Sequence, residues 1–93
     1  MANNLHISYD LNDPGKNYDA VIKAIKELGN WVKVHKSFWY VNSQYSAGQA
    51  VNHIWKKMDR NDTVYVVDAT NNSAAWENLS DDVKSSIRNY WKR

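Results

Sequence analysis

The chain has 93 residues, too few for two units that each bury a core, so we expect a single domain over residues 1–93. An apolar share of 43% and 12 Lys and Arg against 10 Asp and Glu exclude the low-hydrophobicity, high-charge composition of disordered chains. The lack of cysteine in the sequence excludes disulfides, thiolate metal sites and cysteine nucleophiles.

The first predicted element is a half-buried strand over residues 4–11, where apolar and polar side chains alternate strictly. Turn-forming residues follow at 12–15. From Tyr18 the apolar spacing becomes that of a helix with one buried stripe. We expect Gly29 to end this helix as its C-terminal cap.

Two short strands are predicted next, at 31–35, where side chains alternate, and at 38–42, which is rich in aromatic and β-branched residues. Residues 36–37 form the tight turn between them. A second helix is predicted to begin at Ser46, since Gln49 stands three residues later and completes a capping box.

The last part of the chain adds one strand and one helix. Residues 63–69 are almost continuously apolar, which indicates a buried strand. Ser80 is the predicted N-cap of the final helix, whose apolar stripe comprises Val83, Ile87 and Trp91.

The order β-α-β-β-α-β followed by one helix predicts an α+β protein with a ferredoxin-like fold. Right-handed crossovers place two helices on one face of a four-stranded antiparallel sheet of order 4-1-3-2, with the C-terminal helix as an addition. Asp10, at the end of the first strand, should then lie beside Ser37 and Asp62, which precede the third and fourth strands. Asp68 should lie at the opposite end of the sheet.

Short motifs at the strand ends resemble a known group of proteins. Tyr9-Asp10-Leu11 and Lys36-Ser37-Phe38-Trp39 resemble the Tyr-Asp and Ser-x-Phe signatures of the second CRISPR-associated protein family, the small Cas subunit, whose fold the VapD toxins share. The stretch from Tyr9 to Tyr18 and the Asn61-Asp62 pair are similar to small bacterial and phage proteins labelled SinR-like.

The resemblance implies a homodimer in which two copies of Asp10 face each other and hold Mg²⁺ or Mn²⁺ for hydrolysis of RNA or DNA. Residues 12–15 depart from the family, which often has basic residues there, so we expect at most weak nuclease activity. Ser37 and His35 are further catalytic candidates, His35 as a general base. The alternative is that Asp10 only caps a turn and that His35 is a solvated hairpin residue.

The sheet face away from the helices is predicted to carry Phe38 and Tyr40, joined by Trp31, Lys33 and His35 through alternation. Aromatic rings beside lysine are typical of a stacking platform for single-stranded RNA. They are equally typical of a dimer interface, which we prefer because large bare apolar patches are unusual on monomers. Trp31, Phe38 and Tyr40 are therefore the predicted dimer face, and a dimer through the fourth strand and the residues that follow it is the alternative.

Basic residues at the hairpin and after the second helix are the candidate nucleic-acid contacts: Lys33, Lys36, Lys56, Lys57 and Arg60. The alternative for Lys56, Lys57 and Arg60 is that they only stabilise the negative C-terminal end of the second helix and bind no ligand. Besides a nuclease, two functions remain open: a non-catalytic nucleic-acid-binding dimer, and a protein-interaction module such as a phage or mobile-element modulator of a toxin or defence system. The polar start and the absence of a long apolar run lead us to expect a cytoplasmic protein with no membrane contact.

Overall fold

The computed structural model describes residues 2–12 and 18–91 and confirms the predicted order of elements. The elements are β1 (Asn3–Asp10), α1 (Asp19–Lys26), β2 (Gly29–His35), β3 (Phe38–Ser43), α2 (Ala47–Trp55), β4 (Thr63–Asp68) and α3 (Asp81–Tyr90). The strands form one sheet in the order β2-β3-β1-β4, and every neighbouring pair is antiparallel. The fold is therefore the ferredoxin-like α+β arrangement with a C-terminal helix. Beyond Asn12, the turn predicted at 12–15 lies outside the described residues.

The main core lies between the sheet and the layer formed by α1 and α2. Strict alternation along β1 sends its apolar side chains to this face, where they meet one stripe from each helix. The buried cluster comprises Leu5, Ile7, Val21, Ile25, Leu28, Trp39, Val41, Ala50 and Ile54. The capping box that opens α2 is present, because Ser46 Oγ accepts from the Gln49 amide at 3.1 Å and Gln49 Oε1 accepts from the Ser46 amide at 2.9 Å.

Gly29 does not cap α1, so that prediction is wrong. The C-cap of α1 is Glu27, and Gly29 is the first residue of β2. A Cβ atom placed on Gly29 would lie 2.1 Å from the carbonyl oxygen of Asn42 on β3. The glycine is needed because β2 and β3 approach closely there, a requirement that depends on tertiary pairing and not on the helix end.

The C-terminal helix covers part of the second face of the sheet. The indole of Trp91, directly after α3, lies with its centroid 5.5 Å from the His6 ring and 5.5 Å from the Tyr40 ring. Asn42 Nδ2 donates to the carbonyl oxygen of Tyr90 at 2.6 Å. Tyr40, which we predicted on an open face, is only 1% exposed. The added helix therefore completes a second, smaller layer of packing.

A β-bulge in β2 makes the predicted alternation wrong for two residues. Trp31 and Lys33 lie opposite Val41 and Trp39, and cross-strand partners share a face, so both are on the side of α1 and α2. Between Lys33 and His35 the register shifts by one residue, and His35 pairs with the first residue of β3 on the other face. An extra residue in a strand moves the side chains on one side of it to the opposite face of the sheet, and a prediction from simple alternation does not include this.

Candidate functional site

The carboxyl end of β1 meets the starts of β3 and β4, as predicted. Asp10 is exposed and lies opposite Thr63 in the β1–β4 register. The amide of Tyr9 donates to the carbonyl oxygen of Ser37 at 3.2 Å, which joins the hairpin turn to the same end of the sheet. Asp68 lies at the opposite end of the β1–β4 pair. The three catalytic candidates, Asp10, Ser37 and His35, thus lie at one end of the sheet, and Asp68 lies at the other.

Asp62 is a buried carboxylate that joins the end of β1 to the start of β4. Its Oδ1 accepts from the Asn12 amide at 3.0 Å and from the Tyr18 hydroxyl at 3.2 Å, and its Oδ2 accepts from the Asp59 amide at 2.8 Å. Asn12 Nδ2 also donates to the carbonyl oxygen of Asn61 at 2.5 Å. The Asn61-Asp62 pair therefore has a structural role, since it satisfies donors from three separate segments.

Among the residues that the structure describes, one chain does not by itself complete the predicted Mg²⁺ or Mn²⁺ site at Asp10. Across residues 2–12 and 18–91, no group of three or more His, Cys, Asp or Glu side chains is arranged to hold a metal ion. Asp10 has Thr63 as its cross-strand neighbour, while both oxygens of Asp62 accept hydrogen bonds from protein donors. Magnesium prefers near-octahedral oxygen coordination, which a single exposed carboxylate supplies poorly.

The β2–β3 hairpin positions the other two catalytic candidates. The His35 ring stacks on Phe38 with centroids 5.0 Å apart, and its Nδ1 lies 3.2 Å from the carbonyl oxygen of Lys36. Ser37 adopts a left-handed backbone with φ of 61° and forms the turn. His35 is oriented by contacts within its own hairpin, so its position is explained by local packing.

The predicted dimer face is not a single surface. Tyr40 is buried beneath Trp91, and Phe38 is half-buried. Trp31 is on the opposite side of the sheet, where 43% of it is exposed. The prediction is wrong because it treated the final helix as leaving this face open and continued one alternation through the bulge.

His6 lies in an aromatic enclosure on the second face, formed by Phe38, Tyr40 and Trp91 at centroid distances of 5.6, 5.9 and 5.5 Å. Its Nε2 is buried and has no hydrogen-bond partner among the described residues. Burial lowers the pKa of His6, because the charged imidazolium loses its hydration there. Burial likewise raises the pKa of Tyr40 to about 12, and its hydroxyl donates to Asn4 Oδ1 at 2.8 Å.

A basic groove lies between α1 and the end of α2, with a cavity of about 420 Å³. The basic groove is lined by Ala20, Lys23, Glu27, His53, Lys56 and Lys57. The His53 Nε2 lies 3.0 Å from Glu27 Oε1, so the acidic side chain already has a partner. Lys56 and Lys57 were predicted from the sequence, and Lys23 was not. Its position on the polar side of α1 was visible, but only helix packing shows which lysines it joins.

The other predicted basic contacts are not part of the basic groove. Arg60 lines a separate hollow with Asp59 and Asn61. Lys36 is exposed in the hairpin turn. The Lys33 ammonium is 5.9 Å from the centroid of the Trp39 ring. The structure thus groups Lys56 and Lys57 and separates them from the remaining three.

An exposed indole adjoins α1 on its β2 side. The Lys26 ammonium lies 4.4 Å from the centroid of Trp31, and Trp31 meets Trp39 edge to face at 5.5 Å. Because α1 carries both Lys23 and Lys26, one helix contributes a lysine to the groove and another to this indole pair. Aromatic and basic groups therefore occur on the same helical side of the sheet.

Comparisons of the chain with protein-family models, curated proteins and solved structures find no match of any of the three kinds. The resemblance to the small Cas subunit and SinR-like proteins accordingly stays a prediction. Over residues 2–12 and 18–91, none of the helices combines the length and the apolar character that crossing a bilayer requires.

Proposed function

We propose that this protein binds nucleic acid through phosphate contacts in the basic groove. The observation that carries the proposal is the convergence of Lys23 with Lys56 and Lys57, from two different helices, around one cavity. Within the described ranges these lysines form no salt bridge, and the one acidic lining residue, Glu27, has its Oε1 within hydrogen-bond distance of His53 Nε2. Unpaired ammonium groups in a groove attract phosphates by displacing their counterions, independently of base sequence.

Single-stranded nucleic acid is the favoured ligand. Trp31 presents a partly exposed indole beside Lys26 on the helical side of the sheet. Every base has a π-face, so stacking on such an indole requires an unpaired base and tolerates any sequence. A duplex would contact only the lysines. Replacing Trp31 with alanine should therefore weaken binding to single strands and leave duplex binding nearly unchanged.

The proposal is tested by fluorescence anisotropy with a labelled single-stranded RNA and a duplex DNA of equal length. We expect the Lys56→Gln/Lys57→Gln double variant to bind about tenfold more weakly, since two phosphate contacts are lost. Lys84→Gln is the matched control, because Lys84 lies on α3 and pairs with Asp81 at 3.2 Å. Absence of binding by the wild-type protein, or an equal loss in the control, would contradict the proposal.

Any cleavage of the bound strand is at most weak and metal-dependent, and needs Asp10. Over residues 2–12 and 18–91 one chain offers one exposed carboxylate there, Asp10, and a second copy of it across a dimer axis would supply further oxygen ligands. The assay compares wild type with Asp10→Asn on RNA and DNA, with and without Mg²⁺ or Mn²⁺. Cleavage lost only in Asp10→Asn supports this role, and equal cleavage by both proteins excludes it.

A homodimer through β4 is favoured by a separate observation. β4 is an edge strand, and its side chains Tyr65 and Val67 are 67% and 39% exposed. Aromatic residues are enriched at protein interfaces, and both side chains lie on the sheet face that carries Asp10, since Tyr65 pairs with Ser8 and Val67 with His6. Sedimentation should show about twice 10.8 kDa, and Tyr65→Lys should give the monomer, whereas the control Trp55→Lys should not. A wild-type monomer would leave this edge to a different protein, in keeping with an interaction module.

A further inference from the structure

A second cavity, of about 310 Å³, lies between α3 and the irregular segment that links β4 to α3. Its lining residues are Ala74, Trp76, Ile87, Arg88 and Trp91. The volume is at the lower end of the range for small-molecule sites in proteins. Two indoles, one buried aliphatic side chain and one guanidinium make a lining suited to an organic ligand that combines an apolar ring with a negative charge.

The indole of Trp91 is positioned by contacts with other parts of the chain. Its Nε1 donates to the carbonyl oxygen of Asn72 at 2.9 Å, which ties the linking segment to the end of α3. Its ring also packs on Tyr40 at a centroid distance of 5.5 Å. Ile87 beside it is buried. A preorganised aromatic wall lowers the ordering cost of binding a second ring.

Arg88 contributes a positive charge that is paired with no acidic side chain among the described residues. Its guanidinium lies 5.5 Å from the centroid of Trp76, and in the described part of the chain it forms no salt bridge. A guanidinium matches the two oxygens of a phosphate or carboxylate through paired hydrogen bonds, while its flat face remains on the indole. The cavity therefore places an anion-binding group at the edge of an aromatic surface.

We infer that this cavity binds a planar ring that carries an anionic group, with the ring on Trp76 and Trp91 and the anion on Arg88. This site is distinct from the basic groove, because α3 covers the sheet face opposite to α1 and α2. The inference stands independently of the proposed function. A nucleoside monophosphate and an aromatic carboxylate share this chemistry, and the experiment separates them.

The probes are AMP, adenosine, inorganic phosphate and indole-3-acetate, each titrated while the indole N–H signals are followed in ¹H–¹⁵N spectra. We expect AMP to shift the Trp76 and Trp91 signals saturably. Adenosine and phosphate should each bind about tenfold more weakly, since each lacks one of the two contacts. Tighter binding of AMP than of indole-3-acetate assigns a nucleotide, and the reverse order assigns an aromatic acid.

Two variants with matched controls locate the site. Arg88→Gln should weaken AMP about tenfold and leave adenosine unchanged, whereas Arg60→Gln should affect neither. Trp76→Leu should weaken both ligands, and Trp55→Leu, on an exposed indole of α2, should weaken neither. Absence of saturable shifts at about 10 mM AMP, where a millimolar site is filled, would overturn the inference. Phosphate that binds as tightly as AMP would also overturn it, as would equal losses of AMP affinity in Arg88→Gln and Arg60→Gln.

Discussion

The imidazole of His6 and the indole of Trp91 meet edge to face, with ring centroids 5.5 Å apart and planes inclined by 74°. This contact joins the middle of the first strand to the residue that follows the last helix, across nearly the whole described chain. It explains why the second sheet face is not an open aromatic surface. Packing on that face includes a histidine whose neutral form is favoured by burial.

Stability should depend on the protonation of His6. Burial lowers its pKa below the usual 6.5, so the unfolded chain takes up a proton at a higher pH than the folded protein. The free energy of unfolding is therefore unaffected by this group well above pH 6.5 and falls as the pH drops through that value. We expect wild type to lose more stability than His6→Gln between about pH 7.5 and about pH 5, measured by urea denaturation. Equal pH dependence of stability in wild type and His6→Gln would contradict the assignment.

The two glycines outside the 12–15 turn should respond in opposite directions to alanine. Gly29→Ala places a Cβ 2.1 Å from the Asn42 carbonyl oxygen, so β2 must move away from β3. We expect a loss of about 3 kcal/mol in the free energy of unfolding. Gly48→Ala meets nothing within 4 Å in the first turn of α2 and should stabilise by about 0.5 kcal/mol. Thermal denaturation of both variants checks the pair, and a neutral Gly29→Ala would contradict the close approach.

Asp62 and Asp10, at the end of the sheet where β1 ends and β4 begins, should differ in their contributions to the free energy of unfolding. Asp62→Asn replaces one acceptor oxygen by a donor group facing a backbone amide, at a cost of about 1–3 kcal/mol. Asp10→Asn changes an exposed side chain and should alter stability by less than about 0.5 kcal/mol. Denaturant titration of the two variants distinguishes them. A destabilised Asp10→Asn would show a structural role and remove it as a clean probe of cleavage.

Local signals were sufficient to predict the fold. Alternation along β1 and the Ser46–Gln49 capping box each depend on neighbours in sequence, and both are present in the structure. The features that sequence reasoning missed are set by contacts between distant segments. The role of Gly29 depends on Asn42, and the face of Trp31 depends on the β2 bulge.

The residues of the basic groove likewise include some that sequence neighbours predict and one that only tertiary packing brings in. Lys56 and Lys57 are adjacent in sequence and were predicted together, whereas Lys23 reaches them only because α1 packs beside α2. The prediction of an open aromatic face was wrong because it treated α3 as an addition. The carbonyl oxygen of Tyr90 accepts a hydrogen bond from that face, and the Trp91 ring packs on it. Helix placement over a sheet is a tertiary property, since an apolar stripe shows only that a helix packs, not on what.

The salt dependence of binding to single-stranded RNA tests the basic groove most directly. Each phosphate neutralised on a single strand contributes about −0.7 to the slope of log K against log salt concentration, so three lysines predict a slope of about −2. We expect Lys56→Gln/Lys57→Gln to reduce the magnitude of this slope by about 1.4 and Lys84→Gln to leave it unchanged. A wild-type slope near zero, or a slope that the double variant does not change, would contradict nucleic-acid binding in the basic groove.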